Sequence, residues 1–561
     1  GRFADAEEAF ARALALYRER RDVYGEVDSL IGRGRLAVAQ GRLDDAAGHF
    51  GEAIGLARPV EYGLGEADGS LGLADVELHR RRWEQALANA VHAGKRYDED
   101  NSALGGAQVN RVIGEVELHR GQLTPAISDF TRARRAFQTL RARRPAIQAA
   151  LGAGEAQRRR SSPRRAEDLF AEARQAAAEA EQPDLEASAL LGLGEVARGR
   201  GQSGEAGSLL GEARKRFVAA ERPGGEAAAL VAEARLALTR GQLDRAAADA
   251  EEAVARSRAA EERTGAPGPE AEAHAVRAGV ALAVGRLDDA RAGFVEAQAA
   301  AERLGEASVL AEVALGLAET DLQADAVQAA VAGFNRAAER ARAVEARLVE
   351  ALAAVGLGRV LLRREVWEEA LAAHQDHLAR LKEADDPAAQ ALAYVGMGEA
   401  QRHLGRLAEA REAFVTGARL YATAEAAIGE AAAAQGEGRV LAERGELEAA
   451  DGRYAHAVEL SERVGRALAD EADRHAFFDG RALLYAEAIL VAARREGAGR
   501  STQLATSYAG LAGSTGRAVV ARRLREDESG LPVRGEQLSE DDILRNRAAA
   551  RLLAGARAIV G

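Results

Sequence analysis

The stretch Gly41-Arg42-Leu43-Asp44-Asp45-Ala46-Ala47-Gly48-His49-Phe50-Gly51-Glu52-Ala53 decides the fold. Ala46, Phe50 and Ala53 stand at i, i+4 and i+7, one face of an α-helix. Gly41 stands just ahead of them, where a preceding helix would end in a left-handed residue. Asp44 and Asp45 fall in the first helical turn, where the macrodipole favours negative charge. The stretch reads as the turn and second helix of a helical hairpin.

The phrase recurs, and its final Ala sets a register: Ala6, Ala46, Ala86, Ala126, Ala166, Ala206, Ala246, Ala290, Ala330, Ala370, Ala410 and Ala450. Every step is 40 residues except the 44 between Ala246 and Ala290. The extra residues are assigned to a Pro/Gly loop, Thr264-Gly-Ala-Pro-Gly-Pro-Glu270. Four residues after the signature Ala comes a large side chain, as in Phe50, Phe130, Phe170, Phe294, Phe334, Phe414 and Tyr454. Twelve residues before it lies a small one, as in Gly34, Ala74, Gly114, Gly154, Gly194, Gly358, Gly398 and Gly438. Gly inside a helix costs ~0.5–1 kcal/mol relative to Ala, so its recurrence at one register implies a gain from close helix contact. The Gly192-Leu-Gly194 and Gly356-Leu-Gly358 pairs lie within helices, so they are packing glycines and not dinucleotide loops.

This pattern resembles the tetratricopeptide repeat family, in a 40-residue variant. The resemblance implies an all-α, right-handed superhelical solenoid of about twelve helix-turn-helix repeats over residues 1–462, the first lacking its first helix. Repeat turns are expected near 1, 41, 81, 121, 161, 201, 241, 285, 325, 365, 405 and 445. Pro163 suits the first turn of a helix. His374 and His377 replace the aromatic and the second Ala of their unit, which suggests a loosened, partly exposed repeat.

Beyond the array a helical hairpin is expected over 466–525, with one long helix from Asp470 to Glu496 and a second from about Thr502 to Arg525. Residues 526–538 read as a linker, and 539–561 as a terminal helix opened by Ser539-Glu-Asp-Asp542. The phrases Phe477-Phe478, Leu484-Tyr485 and Gly516-Arg517-Ala518-Val519-Val520 resemble the lead-in to CHAT domains, the caspase-like proteases of many bacteria. The chain opens on Gly1 inside a repeat, so a longer parent protein is expected.

Composition narrows function. The 561 residues are too many for one compact core and suit an array. Hydrophobic residues are 47%, aromatics only 4%, which favours closely packed helices over a barrel or sandwich. A net charge of −12 argues against nucleic acid and anionic membrane as partners. There is no Cys, so disulfides, thiolate metal sites and the Cys of a CHAT protease are excluded within these residues. No apolar run is long enough for a membrane span, and a cytoplasmic location is expected.

In the family named, the residue eleven before the signature Ala faces the concave surface. Here that ladder, with its i+4 neighbours, supplies the expected partner-binding residues: Arg35, Asp75, His79, Glu115, His119, Glu155, Arg159, Glu195, Arg235, Glu319, Arg359, Glu399, His403 and Arg439. The run Asp75 to Glu195 is acidic and would choose a basic segment of a protein or peptide. The competing expectation is plain i,i+4 helix pairing, Asp75 with His79 and Glu155 with Arg159 among them. A His79–His119 metal site is the weaker alternative. No catalytic residue, cofactor or resident metal is expected. The reading is a non-catalytic protein-interaction and regulatory arm of a larger bacterial protein, with a CHAT-type protease as the effector that the resemblance implies. The rival is a free-standing adaptor or the sensor region of a transcriptional or kinase regulator.

Overall fold

The computed structural model describes residues 2–495 and 498–528. Among them are twenty-seven α-helices, one short 3-10 turn and no strand. Val23–Ala39 and Leu43–Ala57 form the type hairpin, with a first helix (A) and a second (B). Eleven such hairpins follow one another, preceded by a single helix B at Arg2–Arg20. Most helices have 17 residues, about 26 Å at 1.5 Å rise. The protein is an all-α helical-repeat solenoid.

Nearly all turns of both kinds use the same device; the Gly265 turn instead makes a single bond, to the Glu261 carbonyl. Gly41 takes φ +77, Gly41 N–H donates to the Val38 carbonyl and Arg42 N–H to the Ala37 carbonyl. This is the double hydrogen bond of a left-handed helix cap. A left-handed residue recurs every 20 residues from Arg21 to Gly241 and again from Gly265 to Gly445. Most B-to-A turns fill that position with Glu, Asp, Asn or Arg, so no glycine marks them in the sequence. The one irregular step differs from the Pro/Gly-loop expectation. Helix B there runs from Leu243 to Thr264, 22 residues, so the insertion lengthens the helix as well as the loop. Ala259-Ala260-Glu261-Glu262-Arg263 are good helix formers and carry it on to the Gly265 cap.

The recurrent small residues pack against the recurrent large one. Phe50 lies between Gly34 of its own helix A and Gly72 of the next. A methyl at Gly34 would stand 2.6 Å from the ring. Gly154 and Gly192 bracket Phe170 in the same way, and Gly398 and Gly436 bracket Phe414. Each G-x-G pair therefore serves two large side chains, one in its own repeat and one in the preceding repeat; both are rings except at Gly192-Leu-Gly194, where Gly194 packs on Leu210.

His374 departs from its expectation. It is fully buried, not loosened: the imidazole takes the ring position between Gly358 and Gly396. His377 is half-buried.

The C-terminal region also departs from expectation. Asp470–Glu496 is not one helix but two, Glu471–Asp479 and Ala482–Arg494. The break falls at Gly480-Arg481, where Arg481 donates to the Phe477 carbonyl at 2.7 Å and lies 3.4 Å over the Phe477 ring. The turn lets Phe477, Phe478, Tyr485 and Tyr508 gather into one buried cluster. The second expected helix is likewise split, into Ala498–Leu511 and Ser514–Glu528, at Gly513. Helix continues to Glu528, three residues into the expected linker. The rest of that linker and the terminal helix at 539–561 lie outside the described residues.

Successive superhelical turns touch. Gly41 abuts the backbone of Thr264, and Gly121 abuts Val344. Thr124 N–H donates to Glu345 at 3.1 Å, Arg200 pairs with Asp385 at 3.1 Å and Arg240 with Glu425 at 2.8 Å. Arg81 pairs with Glu306 across the same seam, and both side chains are largely buried. The A-to-B turns of one superhelical turn thus nest on the B-to-A turns of the next, between four and six repeats along. Removing two of these cations (Arg81→Ala with Arg200→Ala) should loosen the seam. Small-angle scattering should show a larger radius of gyration with unchanged helical content, and Arg132→Ala, away from the seam, should leave the radius unaltered.

Candidate functional site: the charged inner surface

Ladder residues of neighbouring helices A lie within reach of one another and of cations on the same helices. The curvature is tight enough for cross-repeat contact. Arg235 reaches Glu272 and, two repeats on, Glu312, both at 3.1 Å. A cavity of about 290 Å³ is lined by Glu155, Arg159, Glu195, Arg235 and Glu272 together.

The ladder is paired with itself and with cations that the register did not single out. Arg111 joins Asp75 at 3.0 Å and also holds Glu115. Glu155 holds Arg158 at 2.8 Å and Arg159 at 2.6 Å. Glu195 accepts from Arg198 at 3.0 Å, with Arg158 at 3.6 Å. Farther on, Glu319 pairs with Arg359 at 2.6 Å and Glu399 with Arg439 at 2.8 Å, each one full repeat apart. Arg35 pairs with Asp68 at 3.0 Å. The acidic run from Asp75 to Glu195 is thus neutralised by Arg111, Arg158, Arg159 and Arg198. Those residues lie three or four positions from ladder carboxylates, and that spacing was the available signal.

Burial would push Glu195 up, but Arg198, Arg158 and Arg235 outweigh it and hold its pKa at about 2. Glu155 is likewise held below the usual carboxylate range, its burial offset by Arg158 and Arg159. Both stay ionised at any physiological pH. Glu195→Gln would leave these guanidiniums short of a counter-charge and should cost about 2 kcal/mol in chemical denaturation. Reversing Glu115, Glu155 and Glu195 together would unfold this segment before it reported on any partner.

Of the expected i,i+4 pairs, Glu155–Arg159 forms. His79 donates from Nδ1 to its own repeat's Asp75 backbone carbonyl, 2.7 Å away, and not to that carboxylate. His119 instead stacks on Trp83 of the preceding repeat, 4.5 Å between ring centres and 8° from parallel. His403 stacks on Trp367 at 3.9 Å and 1°. Burial, with Arg159 and Arg81 beside it, pushes His119 down to about 3. Both Trp stand three before the signature Ala and each has a His 36 residues later, a signal visible in the sequence but overlooked. Among the described residues no group of three or more His, Asp or Glu is placed to hold a metal ion, which removes the His79–His119 site.

Fold and inner surface together define a class, a helical-hairpin solenoid with a self-paired charged lining. No family model and no curated protein matches the chain. Among solved structures it is similar to the APC/C hetero-tetramer Cut9-Hcn1, at 12% identity and TM-score 0.38, over 91% of this chain and 98% of that one. No helix among the described residues is long and apolar enough to cross a membrane.

Proposed function

We propose that the protein is a non-catalytic recognition and regulatory arm of tetratricopeptide-like build, binding a protein or peptide against its inner surface. The observation that carries this is the charged ladder from Arg35 to Arg439, at one position of helix A in ten of the eleven hairpins, with Gly279 at that position in the other. A solenoid of this kind offers a long surface whose curvature is set by contacts between neighbours. Residues 1–462 are the recognition array in this reading, and 466–525 the segment that relays its curvature to an effector. A CHAT-type protease is the effector suggested by the Phe477-Phe478 and Gly516–Val520 phrases. The seam gives a physical route: a partner that spreads the lining must also break contacts such as Arg81–Glu306. Because the acidic run is already neutralised, the partner is selected by shape and by exchange of ion pairs more than by net basic charge.

The chain has no Cys, so single-Cys variants report one place each. Arg35→Cys and His79→Cys put a label on the exposed part of the inner surface, and Gln175→Cys puts one on an exposed outer helix. A bulky maleimide at either inner position should abolish capture of a partner that the Gln175→Cys label leaves intact. Equal capture from all three would overturn the reading.

A further inference from the structure

We propose that the cavity where the C-terminal helices close over the last repeats binds a small organic anion with an apolar body. The cavity measures about 660 Å³, within the ~300–1,000 Å³ usual for small-molecule sites. Its floor is helix A of four consecutive repeats, and its roof is Ala482–Arg494 with Arg523 of Ser514–Glu528. The roof is pinned: Glu487 accepts from Arg439 at 2.9 Å and from Gln435 at 2.8 Å. A space closed on two sides by the chain itself suits a small molecule better than a folded partner.

Charge selects the ligand. The whole chain carries −12, yet the cavity is lined by Arg359, Arg363, Arg402, Arg439, Arg494 and Arg523 against three lining carboxylates, Glu399, Glu443 and Glu487, with Glu319 and Asp325 outside the lining pairing Arg359 and Arg363. Glu399 is shared between Arg402 and Arg439, at 3.1 and 2.8 Å. Arg363 has a weak tie, 3.5 Å to Asp325 with both side chains more than half exposed, so turning to a ligand costs it little. Guanidinium forks match carboxylate and phosphate oxygens in pairs. Among them Leu362, Leu392, Leu483 and Leu490 supply apolar lining, on the floor and on the roof.

The Trp register gives a second, independent observation. Trp83 is covered by the next superhelical turn at Gly305. Trp367, at the same register and with the same His stack, lines this cavity. It is therefore a built-in reporter. The inference does not depend on the protein-partner reading.

The test titrates the full chain with octanoate, octyl phosphate and octanol. Trp83→Phe leaves Trp367 as the sole Trp for fluorescence, and calorimetry on the unsubstituted chain repeats the comparison without that change. A saturable response to an anion is expected, at least tenfold tighter than to octanol. Octanoate alone identifies a carboxylate, octyl phosphate alone a phosphate, and both a site that reads only the charge. Arg363→Gln and Arg523→Gln should each weaken binding about tenfold, as loss of one charge-assisted contact would. No saturable response to any of the three, equal affinity for octanol, or unchanged affinity in both Arg variants would overturn the proposal.

Discussion

Phe414→Ala should cost about 3–5 kcal/mol, the range for emptying a buried aromatic site. The ring is fully buried between Gly398 and Gly436, and a methyl at Gly398 would already stand 3.0 Å from it. Backbone that close on both sides cannot collapse far into the void, because both helices are held by further repeats. Each repeat touches mainly its neighbours, so the loss should be concentrated locally. Hydrogen exchange should therefore speed up in Pro387–His403, Leu407–Thr423 and Ala427–Glu443, and change little in Val23–Ala39. A loss below about 1 kcal/mol would show that the glycines pack for some other reason.

His374 should make the array acid-sensitive. It occupies the same ring position, fully buried, and neither ring nitrogen has a hydrogen-bond partner. Burial, then the neighbouring Arg359 and His377 charges, pushes its pKa from the usual 6.5 down to about 4. The sign follows directly. The unfolded chain binds this proton at a higher pH than the folded one, so stability is complete above about 6.5 and falls as pH drops towards 4. The total is about 3 kcal/mol for that shift. His374→Phe should abolish this component and raise stability at every pH, since Phe is the residue the position takes in most repeats. The readout is the difference between the denaturation curves of the two proteins from pH 7 to 4, because surface carboxylates common to both cancel. Curves that stay parallel across that window would contradict the assignment.

Much of the fold was legible because its determinants are local and repeated. Ala46, Phe50 and Ala53 announce a buried helical face, and the 40-residue step repeats the announcement. Where sequence reading failed, the decisive contact lay elsewhere in the chain. His374 looks like a defect until Gly358 and Gly396 close on it. The Asp470–Glu496 stretch looks like one helix until Arg481 caps Phe477 and turns the chain so that Tyr485 and Tyr508 can meet. The ladder's position was readable, but its electrostatics were not. Whether Glu155 is an open acid or a neutralised one depends on where Arg158 and Arg159 point, and register alone does not say.

Gly41 separates the two kinds of information. Its left-handed φ and its place ahead of Leu43 follow from local helix-capping rules, and so from sequence alone. The hairpin, the repeat and the small-against-large packing of Phe50 belong with it, because each is settled within a few turns of helix. Its contact with Thr264 does not, because that depends on small rotations between repeats accumulating over five units until one superhelical turn meets the next. The same accumulation decides that Arg81 finds Glu306, that Trp83 is covered, and that Trp367 faces a cavity instead.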